Sequence, residues 1–242
     1  MNISIIVPAY NEERLIGGTL RHIQTAAAAF ERRGWAFELI VCDNNSTDRT
    51  AELARAAGAR MVFEPVNQIG RARNRGAAAA AGDWLLFVDA DSWPSAVLLD
   101  DVAGQIAAGR CLAGGSTVQL DGDDHRVARF AAGGWNWLSR GFVLLAGSFI
   151  FCEADAFRRV GGFSDQLYAG EEIELGRRLK RLARATGKQV VILHAHPLLT
   201  SARKVHLYTL REHLVFFLRT ILAGGRTLKD RAACHTWYDG RR

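Results

Sequence analysis

Two carboxylates one residue apart, Asp89 and Asp91, directly follow the apolar run 84–88. Five bulky residues after a Gly-Asp break are typical of a strand that is buried on both faces. In an open α/β sheet, the carboxyl end of such a strand faces a ligand crevice. Hard carboxylate oxygens with no cation beside them in the sequence favour Mg²⁺ or Mn²⁺, with coordination positions left for substrate phosphates. A pair of helix caps ahead of Ser95 is the alternative interpretation of the same residues.

Polar segments also follow two earlier predicted strands, Pro8–Glu12 after the first and Asp43–Asp48 after the second. Both segments occupy strand-to-helix turns, so they are expected at the same edge of the sheet as Asp89. The Asp43 carboxylate can accept a hydrogen bond from the N–H group of a nucleobase. Residues 46–48 are better explained as caps of the following helix.

Three cations, Arg71, Arg73 and Arg75, lie in the first turns of a helix predicted over 70–81. Cations at that end oppose the helix dipole unless an anion is nearby, and a diphosphate would supply one. We therefore expect Arg71 and Arg73 to contact a diphosphate. A solvated basic face explains Arg75 equally well.

The elements that position these residues alternate between strand and helix in the first half of the chain. This alternation predicts an α/β fold with a mostly parallel sheet covered on both faces. Predicted strands are 3–7, 37–42, 61–63 and 84–88, and predicted helices are 12–32, 48–57, 70–81 and 94–108. Later segments are a strand over 112–119, an acidic turn at 121–124, a Gly- and Trp-rich region at 133–142, a helix over 171–186, a strand over 190–196 ended by a proline, and a C-terminal helix over 205–222.

Composition and charge limit the classes of protein that are compatible with the chain. Its 242 residues are 49% hydrophobic and 23% charged, which is an ordinary globular balance. No apolar run is long enough to span a bilayer, and there is no secretory signal. The four cysteines are scattered along the chain, which predicts buried free thiols in a cytoplasmic protein. Residues 176–242 carry 15 Lys and Arg against 3 Asp and Glu, so this part is strongly basic and the remainder is acidic. No nucleic-acid-binding motif accompanies the basic part, so we expect no nucleic-acid partner.

The ordered set of motifs resembles glycosyltransferase family 2, the nucleotide-sugar-dependent transferases of GT-A fold. The residues that carry this resemblance are Ile5–Glu12, Asp43–Asp48, Ala72–Gly76, Phe87–Asp91, Val160–Phe163 and Gly170–Leu175. Each motif alone is weak, but together they cover about residues 3–182 in the order of the family. The resemblance implies a Rossmann-like mixed sheet with helices on both faces and additional C-terminal helices.

The resemblance also implies roles for individual residues. Asp91, with Asp89, would hold a divalent metal on the diphosphate, and an acidic residue of the pair Glu171-Glu172 would be the base of an inverting transfer. The nucleotide-sugar-binding residues that we expect are Pro8, Ala9, Tyr10, Glu12, Asp43, Arg71, Arg73, Asp89 and Ala90.

Two positions depart from the family pattern. The second motif usually has two aspartates, and here the second is Asn44, which weakens a ribose or metal role for it. The base motif usually reads Glu-Asp, and here it reads Glu171-Glu172. By position Glu172 is the base, but helical periodicity places both glutamates symmetrically beside the apolar stripe and does not choose between them.

Three further features have open interpretations. His194 and His196 share one face of their predicted strand and are either core residues or ligands of the metal or the phosphate. Ser201, Arg203 and Lys204 are candidates for a loop that closes over the diphosphate. The helix over 205–222 either packs on the domain or on a second subunit, or lies on the inner face of a membrane.

The sequence thus predicts a single domain over 1–242, with a nucleotide-sugar-binding half (1–110), an acceptor and catalytic half (111–200) and a basic C-terminal segment (201–242). The predicted activity is the transfer of a sugar from a UDP- or GDP-sugar to a carbohydrate, lipid-linked or small-molecule acceptor, with Mn²⁺ or Mg²⁺. The alternatives are a nucleotidyltransferase and a binding module without catalytic activity. A nucleotidyltransferase would need a Gly-rich loop after the first strand, where this chain has Pro8–Glu12.

Overall fold

A computed structural model describes residues 1–122, 126–203 and 226–234 of the chain, with the backbone alone given for 126–129 and 226. The strands are β1 (Asn2–Ala9), β2 (Ala36–Asp43), β3 (Arg60–Phe63), β4 (Trp84–Val88), β5 (Ser92–Trp93), β6 (Cys111–Asp121), β7 (Phe149–Glu153) and β8 (Gln189–Ser201). The helices are α1 (Ile16–Glu31), α2 (Thr50–Ala56), α3 (Ile69–Ala79), α4 (Ala96–Ala107), α5 (Arg126–Phe142), α6 (Ala154–Arg159) and α7 (Glu171–Ala185), with a 3₁₀ turn at Arg226–Lys229. The C-terminal helix predicted over 205–222 lies outside the described residues.

All eight strands form one sheet in the order β3-β2-β1-β4-β7-β6-β8-β5. The first four neighbours in this order, β3, β2, β1 and β4, are parallel, as the strand–helix alternation predicts. β7 is antiparallel to both β4 and β6, and β8 then pairs parallel to β6. The predicted mixed, mostly parallel sheet with helices on both faces is confirmed.

Side-chain alternation along the strands builds a separate apolar core on each face of the sheet. In β1, Ile5 and Val7 pack with α1 and α4 on one face, whereas Ile6 packs with α6 and α7 on the other. Because both faces are covered, the central strands are apolar at nearly every position. Cys42, Cys111, Cys152 and Cys234 are buried and free, as predicted.

Two elements of the second half differ from the sequence predictions. The Gly- and Trp-rich region, for which the sequence predicted no element, lies within helix α5. β8 does not end at Pro197 but continues to Ser201, because a register shift opposite Ser116–Val118 accommodates the proline. No helix of the described residues is long and apolar enough to cross a membrane.

Candidate active site

The predicted motifs meet at the carboxyl edge of the parallel strands. Ala9 at the end of β1 lies opposite Asp43 at the end of β2, and the Asn44 N–H donates to the Ala9 carbonyl at 2.8 Å. β4 is the other neighbour of β1, so Asp89 and Asp91 emerge at the same edge. Pro8, Ala9 and Asp43 are buried in this edge, and Tyr10 is half-buried.

The first two loops are held together by side-chain hydrogen bonds around Asn11. The Asn11 N–H donates to Ser46 Oγ at 3.0 Å, and the Thr47 N–H donates back to Asn11 Oδ1 at 2.8 Å. Asn11 has a φ of 51°, in the left-handed region that asparagine tolerates better than most residues. The prediction that Ser46 and Thr47 cap α2 is therefore wrong: they fix the loop after β1, and only Asp48, which accepts from the Thr50 N–H at 2.9 Å, acts near the start of α2.

Asp43 is oriented by its own loop. Its Oδ1 accepts the Ser46 N–H at 3.1 Å, and its carboxylate is almost fully buried at the sheet edge. Such a carboxylate is preorganised to accept a further hydrogen bond through its other oxygen. This geometry is compatible with the predicted contact to a nucleobase.

Asn44 stands where the family pattern has a second aspartate, and its hydrogen bonds explain the difference. The buried Asn44 Nδ2 donates to the carbonyls of Glu64 and Val66, at 3.2 and 2.6 Å, and its Oδ1 accepts the Gln68 N–H at 2.9 Å. These three bonds fix the segment that leads into α3. An aspartate could supply the acceptor but not the two donors.

We expect Asn44→Asp to destabilise the protein, because a carboxylate would face two carbonyl oxygens without a donor. The cost should be about 1–3 kcal/mol of the free energy of unfolding, measured by urea denaturation. Asn45→Asp is the matched control, since Asn45 is exposed with a φ of 66° that aspartate also tolerates. Equal stability of the two variants would contradict the structural role of Asn44.

Arg73 is a buried cation at the centre of the site. Its Nη1 lies 2.7 Å from Glu171 Oε1, and its Nη2 lies 2.8 Å from both Asp89 Oδ1 and the Gly147 carbonyl. The ring of Phe163 lies under the guanidinium, 5.3 Å from its carbon. The Arg73 guanidinium is therefore paired within the protein, and its contact with a diphosphate stays a prediction.

Arg71, the other residue predicted to contact the diphosphate, also has a carboxylate partner. Arg71 Nε lies 3.3 Å from the carboxylate of Glu64, which lowers its availability for a ligand. The cation beside Asp91 is Arg203, at the end of the described range 126–203. Its Nη2 lies 2.9 and 3.0 Å from the two oxygens of Glu12 and 3.5 Å from Asp91 Oδ2. Glu12 is thus buried in an ion pair. The predicted closing loop lies beside the site at Ser201 and Arg203, and Lys204 lies outside the described residues.

The two acidic residues of the base motif have different environments. Glu171 is buried and bound to Arg73. Glu172 is half-buried and has no side-chain ion pair among the described residues. Burial and the neighbouring charge of Glu171 raise the pKa of Glu172 to about 8. A carboxyl group with a pKa near neutral pH suits proton transfer, so the structure distinguishes the two glutamates where helical periodicity did not.

The aspartates after β4 fit a divalent ion only in part. The described residues contain no cluster of three or more Asp, Glu, His or Cys side chains that could hold a metal ion by themselves. Asp89 Oδ1 is bound by Arg73. Asp91 is nearly buried at 5% exposure, but its contact with Arg203 is long, so its carboxylate oxygens keep lone pairs for a hard cation. A metal at Asp91 would therefore need diphosphate oxygens to complete its coordination. The Ala90 side chain is buried, and its carbonyl accepts the Thr19 hydroxyl at 2.8 Å.

The two histidines of β8 lie away from these aspartates. The residues of β8 beside Asp91 are Thr200 and Ser201, and the Ser201 N–H donates to the Asp91 carbonyl at 2.9 Å. His194 and His196 are exposed, and His196 Nδ1 lies 2.8 Å from Asp101. They are neither core residues nor neighbours of Asp89 and Asp91. His194 instead lines an open groove of about 770 Å³ with Trp137 and Arg140 of α5.

Comparison with known proteins identifies the family. The sequence model described as Glycosyl transferase family 2 matches residues 4–157, which is more than half of the chain. The chain belongs to glycosyl transferase family 2. Glucosyl-3-phosphoglycerate synthase from Mycolicibacterium smegmatis is 36% identical over 97 residues, which are 37% of this chain and 30% of that protein. The match thus spans less than a third of that relative.

Two solved structures have the same fold. Glucosyl-3-phosphoglycerate synthase from Mycobacterium tuberculosis, in complex with Mn²⁺, uridine diphosphate and phosphoglyceric acid, aligns with a TM-score of 0.63 at 22% identity, over 92% of this chain and 76% of that chain. S. aureus TarS 1–349 aligns with a TM-score of 0.64 at 18% identity, over 98% of this chain and 68% of that chain. At these identities the likeness shows the GT-A fold.

Proposed function

We propose that this family 2 protein is a metal-dependent, inverting glycosyltransferase that uses a UDP- or GDP-sugar. The observation that carries the proposal is the pair of contacts made by Arg73, which joins Asp89 at the end of β4 to Glu171 at the start of α7. The strand end proposed to bind the metal and the helix start proposed to accept the proton are therefore neighbours, as transfer from a sugar diphosphate to a hydroxyl requires.

The donor would lie across the carboxyl edge of β1, β2 and β4. Asp43 would accept a nucleobase N–H, between the Pro8–Tyr10 loop and the segment fixed by Asn44. Asp91 would hold Mn²⁺ or Mg²⁺ on the diphosphate, and this ion would neutralise charge on the leaving group. The M. tuberculosis structure with Mn²⁺ and uridine diphosphate supports UDP and manganese as the first choice for this chain.

Glu172 would act as the base. As the acceptor hydroxyl oxygen attacks the anomeric carbon, its proton passes to the Glu172 carboxylate and the bond from that carbon to the diphosphate breaks. A single attack from the face opposite the leaving group inverts the anomeric configuration. Glu171 would keep Arg73 in place, since its oxygen is already bound at 2.7 Å.

The rate of transfer should rise with pH through the neutral range. The base form of Glu172 is the ionised form, and its pKa is raised to about 8. We therefore expect kcat/KM to rise about tenfold per pH unit well below that pKa and to level off above it. A pH–rate profile measures this, and a rate that is flat between pH 6 and 9 would contradict the assignment of the base.

The acceptor would bind in the second half of the same domain. The groove between α5 and β8 is lined by an aromatic side chain, Trp137, and by polar side chains that include Arg140 and His194. The backbone runs from Val143 in this groove to Gly147 beside Glu172 in four residues. Val143 has a φ of 53°, a strained value for a β-branched residue that is often found near functional sites. A carbohydrate, lipid-linked or small-molecule acceptor is compatible with such a groove.

Release of nucleoside diphosphate tests the proposal. The purified protein is incubated with UDP-, GDP-, CDP- or dTDP-hexoses, Mn²⁺ and a panel of candidate acceptors, and the free diphosphate is measured. We expect release from one nucleotide class only, and none from Asp91→Asn. Release of inorganic pyrophosphate from a nucleoside triphosphate and a sugar phosphate would favour the nucleotidyltransferase alternative. Binding of a sugar nucleotide without turnover would favour the binding module.

A further inference from the structure

The exposed face of α5 is almost entirely apolar. Eight large hydrophobic side chains are exposed among the described residues with assigned burial, and four of them lie on this one helix: Phe130 (83% exposed), Trp137 (71%), Phe142 (62%) and Leu138 (40%). At about 100° per residue, these four side chains fall within an arc of about 140° on the helix, together with Gly134 and Gly141. We call this arc the α5 face. It contains no charged residue.

The opposite side of α5 is fixed to the protein. Asn136 bonds both backbone groups of Val118 in β6, at 2.8 and 2.9 Å, and the buried Ser139 hydroxyl donates to the Leu144 carbonyl. The helix therefore cannot rotate to bury its apolar side without breaking these bonds. Among the described residues, the exposure of the α5 face therefore follows from the way in which the helix is anchored.

Near the C-terminal end of the α5 face lie cations that have no carboxylate partner in the described part of the chain. Arg140 lies about 60° around the helix from Trp137. Lys180 of α7 donates to the Phe142 carbonyl at the end of α5, and the charges of Arg177 and Arg184 act on it. None of these four cations forms an ion pair with a carboxylate of the described residues, and α5 has three arginines and no acidic residue. Like charges gathered in this way are stabilised by an anionic surface.

We propose that the α5 face docks on an anionic phospholipid membrane. Phe, Trp and Leu would enter the boundary between headgroups and acyl chains, while the nearby cations would bind lipid phosphates. A second copy of the chain fits less well, because a twofold contact through this face would bring its cations against their own copies. The groove lined by Trp137 and Arg140 would then open toward the lipid surface, next to the proposed acceptor path.

Vesicle flotation tests the proposal. The protein is mixed with phosphatidylcholine vesicles that contain either no phosphatidylglycerol or about 30% of it, and the bound fraction is measured. We expect binding to the anionic vesicles only, and a loss of at least about tenfold in Phe130→Gln/Phe142→Gln, because two aromatic rings no longer leave water. Arg140→Glu/Arg184→Glu should also weaken binding by at least about tenfold, because basic side chains near an anionic surface contribute to the attraction.

Matched controls change exposed apolar and exposed basic side chains that lie outside the α5 face. Phe63→Gln/Val97→Gln alters two other exposed apolar side chains, and Arg21→Glu/Arg55→Glu reverses two exposed charges on α1 and α2. Both should bind the anionic vesicles like the parent protein. Parent binding to neutral and anionic vesicles alike, or unchanged binding of Phe130→Gln/Phe142→Gln, would overturn the proposal. A clearly lower Tm of that variant would also overturn it, since the two rings would then be covered by the chain itself. The assay contains no sugar nucleotide, so its failure leaves the proposed transfer reaction untouched.

Discussion

Glu172→Gln should reduce the rate of sugar transfer by about 10²–10⁴-fold while leaving donor affinity unchanged. The amide has nearly the same shape as the carboxyl group but cannot accept the proton of the acceptor hydroxyl. Because burial and Glu171 raise the pKa of Glu172, the amide also removes an unfavourable charge, and the variant should be at least as stable as the parent at pH 8 and above. Initial rates, donor binding and Tm measure the three effects.

The control for this variant is the adjacent Glu171→Gln. Its carboxylate is bound to Arg73, so the variant should lose stability and keep a larger part of its transfer rate. A stable Glu171→Gln protein that transfers no sugar, next to an active Glu172→Gln protein, would contradict the assignment and make Glu171 the base.

Arg73→Gln should be the most destabilising single change in the described site. Asp89 and Glu171 would lose their shared cation, and the partly buried Glu172 would lose the positive charge that lowers its pKa. Leaving buried carboxylates without their partner costs about 3–5 kcal/mol of the free energy of unfolding. The loss should be greatest at high pH, where all three groups are ionised, and urea denaturation at two pH values measures it.

Arg75→Gln is the matched control, two residues further along α3 and exposed. Its effect should stay within about 0.5 kcal/mol. In addition, Arg73→Gln combined with Glu171→Gln should cost less than the sum of the two single changes, because the pair shares one interaction. Strict additivity would contradict a direct ion pair between them.

The fold was predictable because its signals are local. Apolar runs that end in Asp43 and Asp89 mark buried parallel strands, and the strand–helix alternation determines the sheet on that side. The antiparallel β7 and helix α5 were missed. β7 is an apolar run of only five residues, and nothing in that run indicates antiparallel pairing. The glycines of α5 oppose a helix whose stability comes from packing on β6.

The site was predictable in its residue types but not in its pairings. Sequence reasoning assigned Arg73 to a substrate anion, and the structure pairs it with Asp89 and Glu171, which are 16 and 98 residues away along the chain. Arg203 was expected to reach a diphosphate and instead binds Glu12, 191 residues away. Such long-range ion pairs leave no periodic signal in one sequence.

Two further site features had a weak signal that could have been used. Asn44 departs from the family pattern, and an amide in place of a carboxylate indicates a position that must donate hydrogen bonds as well as accept them. The turn after the first strand contains Asn11-Glu12-Glu13 and no glycine. Asparagine suits the left-handed conformation at Asn11, whose hydrogen bonds join the two loops.

The binding of nucleoside diphosphates tests the central claim most directly, because it needs neither the acceptor nor the donor sugar. Thermal unfolding is followed with UDP, GDP, CDP and dTDP, each with and without Mn²⁺, for the parent protein and for Asp91→Asn. A ligand that binds only the folded state raises Tm by mass action. We expect UDP or GDP to raise the Tm of the parent protein in a Mn²⁺-dependent way, and we expect this rise to be lost in Asp91→Asn. No rise with any nucleotide, or an equal rise in both proteins, would contradict a metal-bridged nucleotide site at Asp91.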